Sequence, residues 1–301
     1  MTPPPRGTLI LGCPRSGTTL LRRLFDAHPQ FVCAGETGVF RACARFLHED
    51  TMAQGVRFGV VPGLSLAGLP AEQVHADLRA LAFQWMDAIA ARSAKPRWAE
   101  KTGVATFHLE TLERWLGDTV RYVVMLRHGL DVACSLLELA QRSGGYLEEL
   151  HVYVRSDPRP IRAMLRAWVD TTNAVVDFAE RRPEVLVVRY EDLVRQPSVE
   201  LAQLFAGLGE TWDPEWLTHA LTRPGTPGLG DWKTWERTAI DAGSVERWRA
   251  LDPATISDLA PLANPALERA GYAPVDVHPT PDADRRVALA HRLAALKAEG
   301  T

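Results

Sequence analysis

The chain contains little lysine and lacks any long apolar segment. Only four of its 301 residues are lysine, and the remaining basic residues are arginine. The net charge of −3 predicts no binding to nucleic acid or to an anionic membrane surface through bulk charge. No apolar run approaches the ~20 residues that a membrane-spanning helix needs, and the N-terminal residues MTPPPRG lack the apolar core of a signal peptide. We therefore expect no integral membrane segment.

Cysteine is also sparse. Cys13, Cys33, Cys43 and Cys134 have neither the spacing of metal ligands nor the pattern of a disulfide framework. These observations predict a reduced protein of the cytoplasm, with no metal site. The length suits one large α/β domain over residues 1–301.

The most informative stretch is residues 8–28, in which an apolar run leads through a turn between Gly12 and Gly17 into a helical pattern. A strand, a glycine loop and a helix N-terminus together form a phosphate cradle, because the loop amides and the helix dipole both favour an anion. The spacing of the two glycines matches the nucleotide-binding P-loop. The segment therefore predicts an anion site, although a tight turn without a ligand would have the same glycines.

The residues after the loop differ from those of a kinase-type P-loop. Thr18 and Thr19 stand where that motif has lysine followed by serine or threonine. The missing lysine would have reached the β- and γ-phosphates of a nucleoside triphosphate. A shorter and less charged anhydride is therefore favoured, with Arg15 supplying positive charge from inside the loop.

The segment CPRSGTTLLRRLFDAHP resembles the 5′-phosphosulfate loop of sulfotransferases that use 3′-phosphoadenosine 5′-phosphosulfate (PAPS). Within that superfamily, GCPRSGTTLLRRLFDAHPQFVCAGET is most similar to the protein-tyrosine sulfotransferases and their bacterial relatives. The resemblance implies PAPS as the donor cosubstrate, adenosine 3′,5′-bisphosphate (PAP) as the product, and no metal. It also implies that the donor is bound by Pro14, Arg15, Ser16, Gly17, Thr18 and Thr19.

Apolar runs alternate with helical patterns along the chain, which predicts a P-loop-type α/β fold: a parallel sheet with helices on both faces. We expect a core over about 8–271 and a C-terminal tail, 272–301, that contains a helix. Residues 51–70 read as an irregular segment, and Ser198 reads as the N-cap of a helix. Ligands of such sheets bind at the carboxyl ends of strands, where the sequence places Lys101, Arg127 and Tyr190.

The segment VVMLRHGLDVACSLL carries the second part of the resemblance. Arg127 at the strand end and Ser135 in the next helix are implied to hold the 3′-phosphate. Read alone, the segment also allows an Arg127–Asp131 ion pair and a serine on the helix surface. Tyr190 is expected either to contact the nucleotide or to be a buried structural tyrosine.

A later glycine-rich segment, GLGDWK at 228–233, resembles the loop that closes over the nucleotide in cytosolic sulfotransferases. The resemblance implies that Trp232 covers the base and that Lys233 meets a phosphate. An exposed loop lysine is an equal alternative.

The acceptor hydroxyl must lose a proton as sulfur is attacked, so a general base is needed. Glu36 occupies the position of the catalytic glutamate in the tyrosylprotein enzymes, and the alternative is a helix N-terminal glutamate. Lys101 matches a lysine implied to reach the bridging oxygen of PAPS. The resemblance thus implies Glu36, Lys101 and Arg15 as the catalytic residues, with His108 a weaker candidate for the base.

The function predicted from the sequence is sulfonate transfer from PAPS to a hydroxyl of a small molecule or lipid-like alcohol. The alternatives are an ATP-dependent small-molecule kinase and a nucleotide-binding protein without catalysis. Either 51–70 or 143–160 could cover the acceptor, and the oligomeric state is open. The residues that could line an apolar acceptor pocket are Phe58, Phe83, Trp85 and Trp235, although most of them would serve equally well as core residues.

Overall fold

The centre of the fold is a parallel sheet. The computed structural model describes residues 5–52, 55–222 and 239–276. Five strands form the sheet in the order β2-β5-β1-β6-β7, and every neighbouring pair is parallel. The strands are β1 (Gly7–Leu11), β2 (Phe31–Val32), β5 (Arg97–Glu100), β6 (Arg121–Leu126) and β7 (Leu186–Arg189). Strands β3 (Asp50–Thr51) and β4 (Arg57–Phe58) form a separate antiparallel hairpin.

Helices connect the strands. Their bounds are α1 (Thr18–Ala27), α2 (Val39–Phe46), α3 (Val60–Leu66), α4 (Ala71–Arg92), α5 (Leu109–Leu116), α6 (Gly129–Ser143), α7 (His151–Ser156), α8 (Pro160–Arg181), α9 (Tyr190–Arg195), α10 (Pro197–Gly207), α11 (Glu215–Thr222) and α12 (Pro253–Arg269). Short 3₁₀ turns occupy Gly103–His108, Gly117–Thr119, Glu148–Leu150 and Arg247–Ala250.

Both faces of the sheet are covered by helices, as the sequence predicts. Side chains alternate between the two faces of a strand. Leu9 and Leu11 pack in one apolar cluster with residues of α4, α5 and α8, whereas Ile10 packs in another with residues of α1 and α10. A third cluster joins α6, α8 and α12. The α/β fold with a parallel sheet is therefore confirmed.

Two local predictions are wrong. The segment 51–70 is not irregular, because it contains the hairpin of β3 and β4 and the helix α3. Ser198 does not cap α10: the helix begins one residue earlier, at Pro197, and Gln196 is the N-cap with no side-chain cap bond. Proline suits the first helical position, because its missing N–H would have no partner there.

The strand ends place the expected residues at one edge of the sheet. The 12–17 loop follows β1, Lys101 follows β5, Arg127 follows β6 and Tyr190 follows β7. Within the described residues, none of the helices is both long and apolar enough to span a bilayer. Trp232, Lys233, Trp235 and the predicted tail helix at 282–298 lie outside the described residues.

Candidate functional site

A cavity of about 450 Å³ opens at the carboxyl ends of the strands. Ten of the residues singled out in the sequence line it: Pro14, Arg15, Gly17, Thr18, Thr19, Glu36, Lys101, Arg127, Ser135 and Tyr190. Ser16, in the same loop, is buried, and its backbone N–H donates to the Cys13 carbonyl at 3.0 Å. The structure thus brings together residues from five separate segments of the chain.

The loop after β1 is held in shape by contacts from below and from the side. The hydroxyl of Thr106 accepts from the Gly12 N–H at 2.9 Å and lies 3.0 Å from the Gly12 carbonyl. Gly17 has a φ of +99°, and a Cβ there would lie 2.4 Å from the ring of Tyr190. Glycine is required at this position because the backbone is left-handed and the ring leaves no space.

The side chain of Arg15 turns towards α6. Its Nε donates to the Ser135 hydroxyl at 3.1 Å. Because only Arg127 and His128 separate the end of β6 from the start of α6 at Gly129, the serine lies close enough to reach the loop. The loop after β1 and the helix after β6 therefore form one polar surface.

Arg127 lies at the base of the cavity, with only 6% of its surface exposed. Its Nη1 donates to the Arg15 carbonyl at 2.9 Å and its Nη2 to the Ser244 carbonyl at 2.5 Å. The guanidinium lies 4.3 Å above the ring of Tyr190. Among the described residues its buried Nε has no hydrogen-bond partner, and both carboxylate oxygens of Asp131 accept from backbone N–H groups instead. The alternative of an Arg127–Asp131 ion pair is therefore wrong.

Asp131 has a different role. Its carboxylate accepts from the backbone N–H groups of Glu246 at 2.8 Å and Trp248 at 3.0 Å. Burial raises the pKa of this carboxyl, although Arg127 and the two backbone donors oppose the shift. Asp131 thereby fixes the segment that brings the Ser244 carbonyl to Arg127.

His128 supports the same segment. Its ring stacks on that of Trp248, with centroids 5.3 Å apart and an interplanar angle of 7°. Burial lowers the pKa of His128 to about 4. The sequence gives no signal for this support, because Trp248 lies far along the chain from any recognised motif.

Glu36 and Lys101 form an ion pair at the cavity wall. The lysine side chain is 3% exposed, and the glutamate side chain is 28% exposed. A half-buried carboxylate that faces a cavity can meet a ligand, whereas the ammonium is held in place beneath it. His108, the weaker candidate for the base, instead lies 3.7 Å from Glu149.

A second ion-pair group lines the cavity and was missed in the sequence. Arg41 of α2 donates to Glu149 at 2.5 Å and to Glu148 at 2.8 Å. Burial alone would raise the pKa of Glu149, but the nearby His108 and the hydrogen bond from Arg41 lower it to about 2. The segment 143–160 thus contributes to the cavity, whereas no described residue of 51–70 lines it.

The expected apolar acceptor residues are elsewhere. Phe83 is buried in the core, while Phe58 and Trp85 are 68% and 49% exposed at the surface. None of these three lines the cavity, so that prediction is wrong. The apolar wall is formed instead by Val104, Leu139 and Leu147.

This arrangement suits two chemical tasks in one cavity. The loop amides, Arg15 and Arg127 offer donors and positive charge to an anion. Glu36 offers a carboxylate to a proton donor, with Lys101 beside it. The cavity could therefore bind an anionic leaving group and, beside it, accept a proton from a hydroxyl.

The chain is similar in sequence to proteins of a known family. The model of the Sulfotransferase family matches residues 8–214. Nodulation protein NoeE of Sinorhizobium fredii is 28% identical over 268 residues, which cover 83% of this chain and 61% of NoeE. Protein-tyrosine sulfotransferase A of Caenorhabditis elegans is 24% identical over 274 residues, which cover 88% of this chain and 67% of that protein.

Solved structures show the same fold. The sulfotransferase domain from the curacin biosynthetic pathway superposes with a TM-score of 0.61 at 20% identity, covering 91% of this chain and all of that domain (100%). The corresponding domain of the Synechococcus PCC 7002 olefin synthase superposes with a TM-score of 0.54 at 22% identity, covering 84% of this chain and 90% of that domain. The chain spans less than two thirds of the length of NoeE, 61%, so the match covers only part of that relative.

Proposed function

Since the chain belongs to the sulfotransferase family, we propose that it transfers a sulfonate group from PAPS to the hydroxyl of a small, uncharged acceptor. The observation that carries the proposal is the meeting of Arg15, Arg127, Lys101 and Glu36 in one cavity. These four residues come from four separate segments, and no packing requirement of the core brings three cations and a carboxylate together there.

The donor site fits PAPS in its charge and in its donor groups. Arg127 and Ser135 would hold the 3′-phosphate, and the buried, unpartnered Nε of Arg127 supplies a donor that the described residues leave unused. Residues 14–19 would hold the 5′-phosphosulfate. The loop has no lysine at position 18, which suits this donor better than the triphosphate of ATP.

The residues would act as follows. Glu36 takes the proton from the acceptor hydroxyl as its oxygen forms a bond to sulfur, and the bond between sulfur and the bridging oxygen of the donor breaks. Lys101, Arg15 and the loop amides stabilise the negative charge on the departing phosphate, with each donor worth about 3 kcal/mol. The products are a sulfate ester and PAP, and Glu36 is left holding the proton.

The acceptor class follows from the ion pairs around the cavity. Arg41 is neutralised by Glu148 and Glu149, so it offers no free positive charge to an acidic peptide. Val104, Leu139 and Leu147 add an apolar wall. These contacts support an apolar alcohol or phenol as the acceptor rather than a tyrosine within an acidic sequence.

The test is turnover with labelled PAPS in EDTA, using 2-naphthol, 1-dodecanol and an acidic tyrosine peptide as acceptors, with an ATP arm in magnesium. We expect a labelled ester of the phenol or the alcohol. Glu36→Gln should lower kcat by about 10²- to 10⁴-fold, while Glu113→Gln, at an exposed pair with Arg181, should not. Consumption of ATP, or full activity in Glu36→Gln, would contradict the proposal.

A further inference from the structure

The loop that carries Glu36 is fastened to β5 by a buried carboxylate. We propose that Glu100 and Thr37 are positioning residues, which hold Glu36 at the angle needed to take the acceptor proton. This inference rests on the proposed function, because it gives these residues a purpose only if Glu36 is the base. Neither residue lines the cavity, so both would act through Glu36.

Glu100 is 3% exposed and lies at the end of β5. Its Oε1 accepts from the Thr37 hydroxyl at 3.0 Å and from the Thr102 hydroxyl at 2.5 Å. A buried carboxylate is costly unless hydrogen bonds compensate for the lost water. Burial raises the pKa of Glu100, and the bonds from the two threonines oppose that shift. The packing of the core offers no reason for a carboxyl group here.

Three successive residues of one segment contact three successive residues of the other. Glu100 accepts from Thr37, Lys101 pairs with Glu36, and Thr102 accepts from the Gly38 N–H at 3.2 Å. The sheet register explains the match. Strands β2 and β5 are parallel neighbours with Val32 opposite Trp98, so the chain leaves both strands at the same edge.

The segment that carries Glu36 needs this contact because it contains glycine on both sides of the glutamate. Glu36 lies between Gly35 and Gly38, and Gly38 has a φ of +68°. Glycine leaves the backbone free to adopt many conformations. The contact of Thr37 with Glu100 therefore removes the freedom next to the base. A displacement of the base by about 1 Å can cost about 10²-fold in rate.

The test compares Thr37→Val, which removes the hydroxyl, with Thr37→Ser, which keeps it. Both are assayed with PAPS and 2-naphthol, and calorimetric titration with PAP is the second readout. We expect Thr37→Val to lower kcat by about 10- to 100-fold with little change in the PAP dissociation constant. Thr37→Ser should restore most of kcat.

Three further variants separate positioning from general stability. Glu100→Gln keeps an oxygen that accepts from both threonines, so it should lose less activity than Glu100→Ala. Thr119→Val is the matched control, since the Thr119 hydroxyl donates to the Leu116 carbonyl away from the cavity. It should alter neither kcat nor PAP affinity.

Failure of the proposed function and failure of the positioning role would give different results. If the unaltered protein neither binds PAP nor turns over PAPS, the proposed function itself fails. If it does both and Thr37→Val keeps full kcat, the positioning role alone is overturned. The same holds if Thr37→Val loses PAP affinity in step with kcat, because the substitution would then have disturbed the whole cavity.

Discussion

Two groups of residues line the cavity, and they differ in how their charges are balanced. The loop cluster consists of Arg15, Arg127, Ser135, Tyr190 and Ser244. There the Arg127 guanidinium contacts two backbone carbonyls and the Tyr190 ring, and Arg15 contacts the Ser135 hydroxyl. The carboxylate cluster consists of Glu36, Arg41, Lys101, Glu148 and Glu149, and there each cation is paired with a carboxylate.

The difference bears on which ligand each cluster suits. A buried guanidinium that bonds only to carbonyls within the described chain retains its positive charge for an anion. Paired cations have little charge to spare, so the carboxylate cluster suits a neutral molecule. We therefore propose that the loop cluster binds the donor and that the carboxylate cluster binds the acceptor.

The largest effect on nucleotide binding should follow from removing the Arg127 charge in the loop cluster. We expect Arg127→Met to weaken PAP binding by about 100-fold, since a hydrogen bond to a charged group is worth up to about 3 kcal/mol. Binding of ADP, which lacks a 3′-phosphate, should change much less. Calorimetric titration with PAP and with ADP measures the two dissociation constants in each protein, and hence the preference for PAP.

The control is Arg181→Met, at an exposed pair with Glu113, which should leave both affinities intact. Equal losses for PAP and ADP in Arg127→Met would remove the assignment of Arg127 to the 3′-phosphate. Thermal unfolding of each variant shows whether the fold is retained.

The support beneath the loop cluster should make stability depend on pH. The pKa of His128 is about 4 in the fold and 6.5 in the unfolded chain, so only the unfolded chain takes up the proton between these values. The free energy of unfolding should therefore fall as pH decreases from 6.5 to 4, by about 2 kcal/mol after allowing for partial exposure.

His128→Phe keeps a ring that can stack on Trp248 and cannot be protonated, so this variant should lose most of that slope. Urea unfolding at several pH values measures it. An unchanged slope in His128→Phe would mean that other groups, such as the carboxylates, cause the acid dependence.

The smallest effect should come from Arg41 at the edge of the carboxylate cluster. Arg41 has a side chain that is 26% exposed, and such pairs are worth at most about 1 kcal/mol. Arg41→Met should change kcat/KM for 2-naphthol by less than about 5-fold and leave PAP affinity alone. A loss of PAP affinity as large as that of Arg127→Met would dissolve the distinction between the two clusters.

The sequence predicted the loop cluster better than the carboxylate cluster, and the reason is physical. Arg15 and Arg127 each follow a buried strand, and strand ends meet at one edge of a parallel sheet. Arg41 and Glu148 are 107 positions apart, and no periodicity or motif joins them. The long-range contact appears only when α2 and the segment after α6 have packed.

Other features that the sequence mispredicted or missed have local causes. The helix α3 contains Pro62 and Gly63, which read as loop residues, yet a proline in the first turn removes no helical hydrogen bond. The contact between Glu100 and Thr37 depends on the register of β2 and β5, which composition does not reveal. Ser244 reaches Arg127 only because Asp131 fixes the segment around it. The implied roles of Trp232 and Lys233 stay predictions.

The most direct measurement of the central claim is a calorimetric titration of the unaltered protein with PAP in EDTA, with ADP as the comparison. The account predicts that PAP binds without metal and much more tightly than ADP, because the loop cluster would hold the 3′-phosphate. Equal binding of the two nucleotides, or no binding of PAP, would contradict the assignment of the loop cluster to the donor.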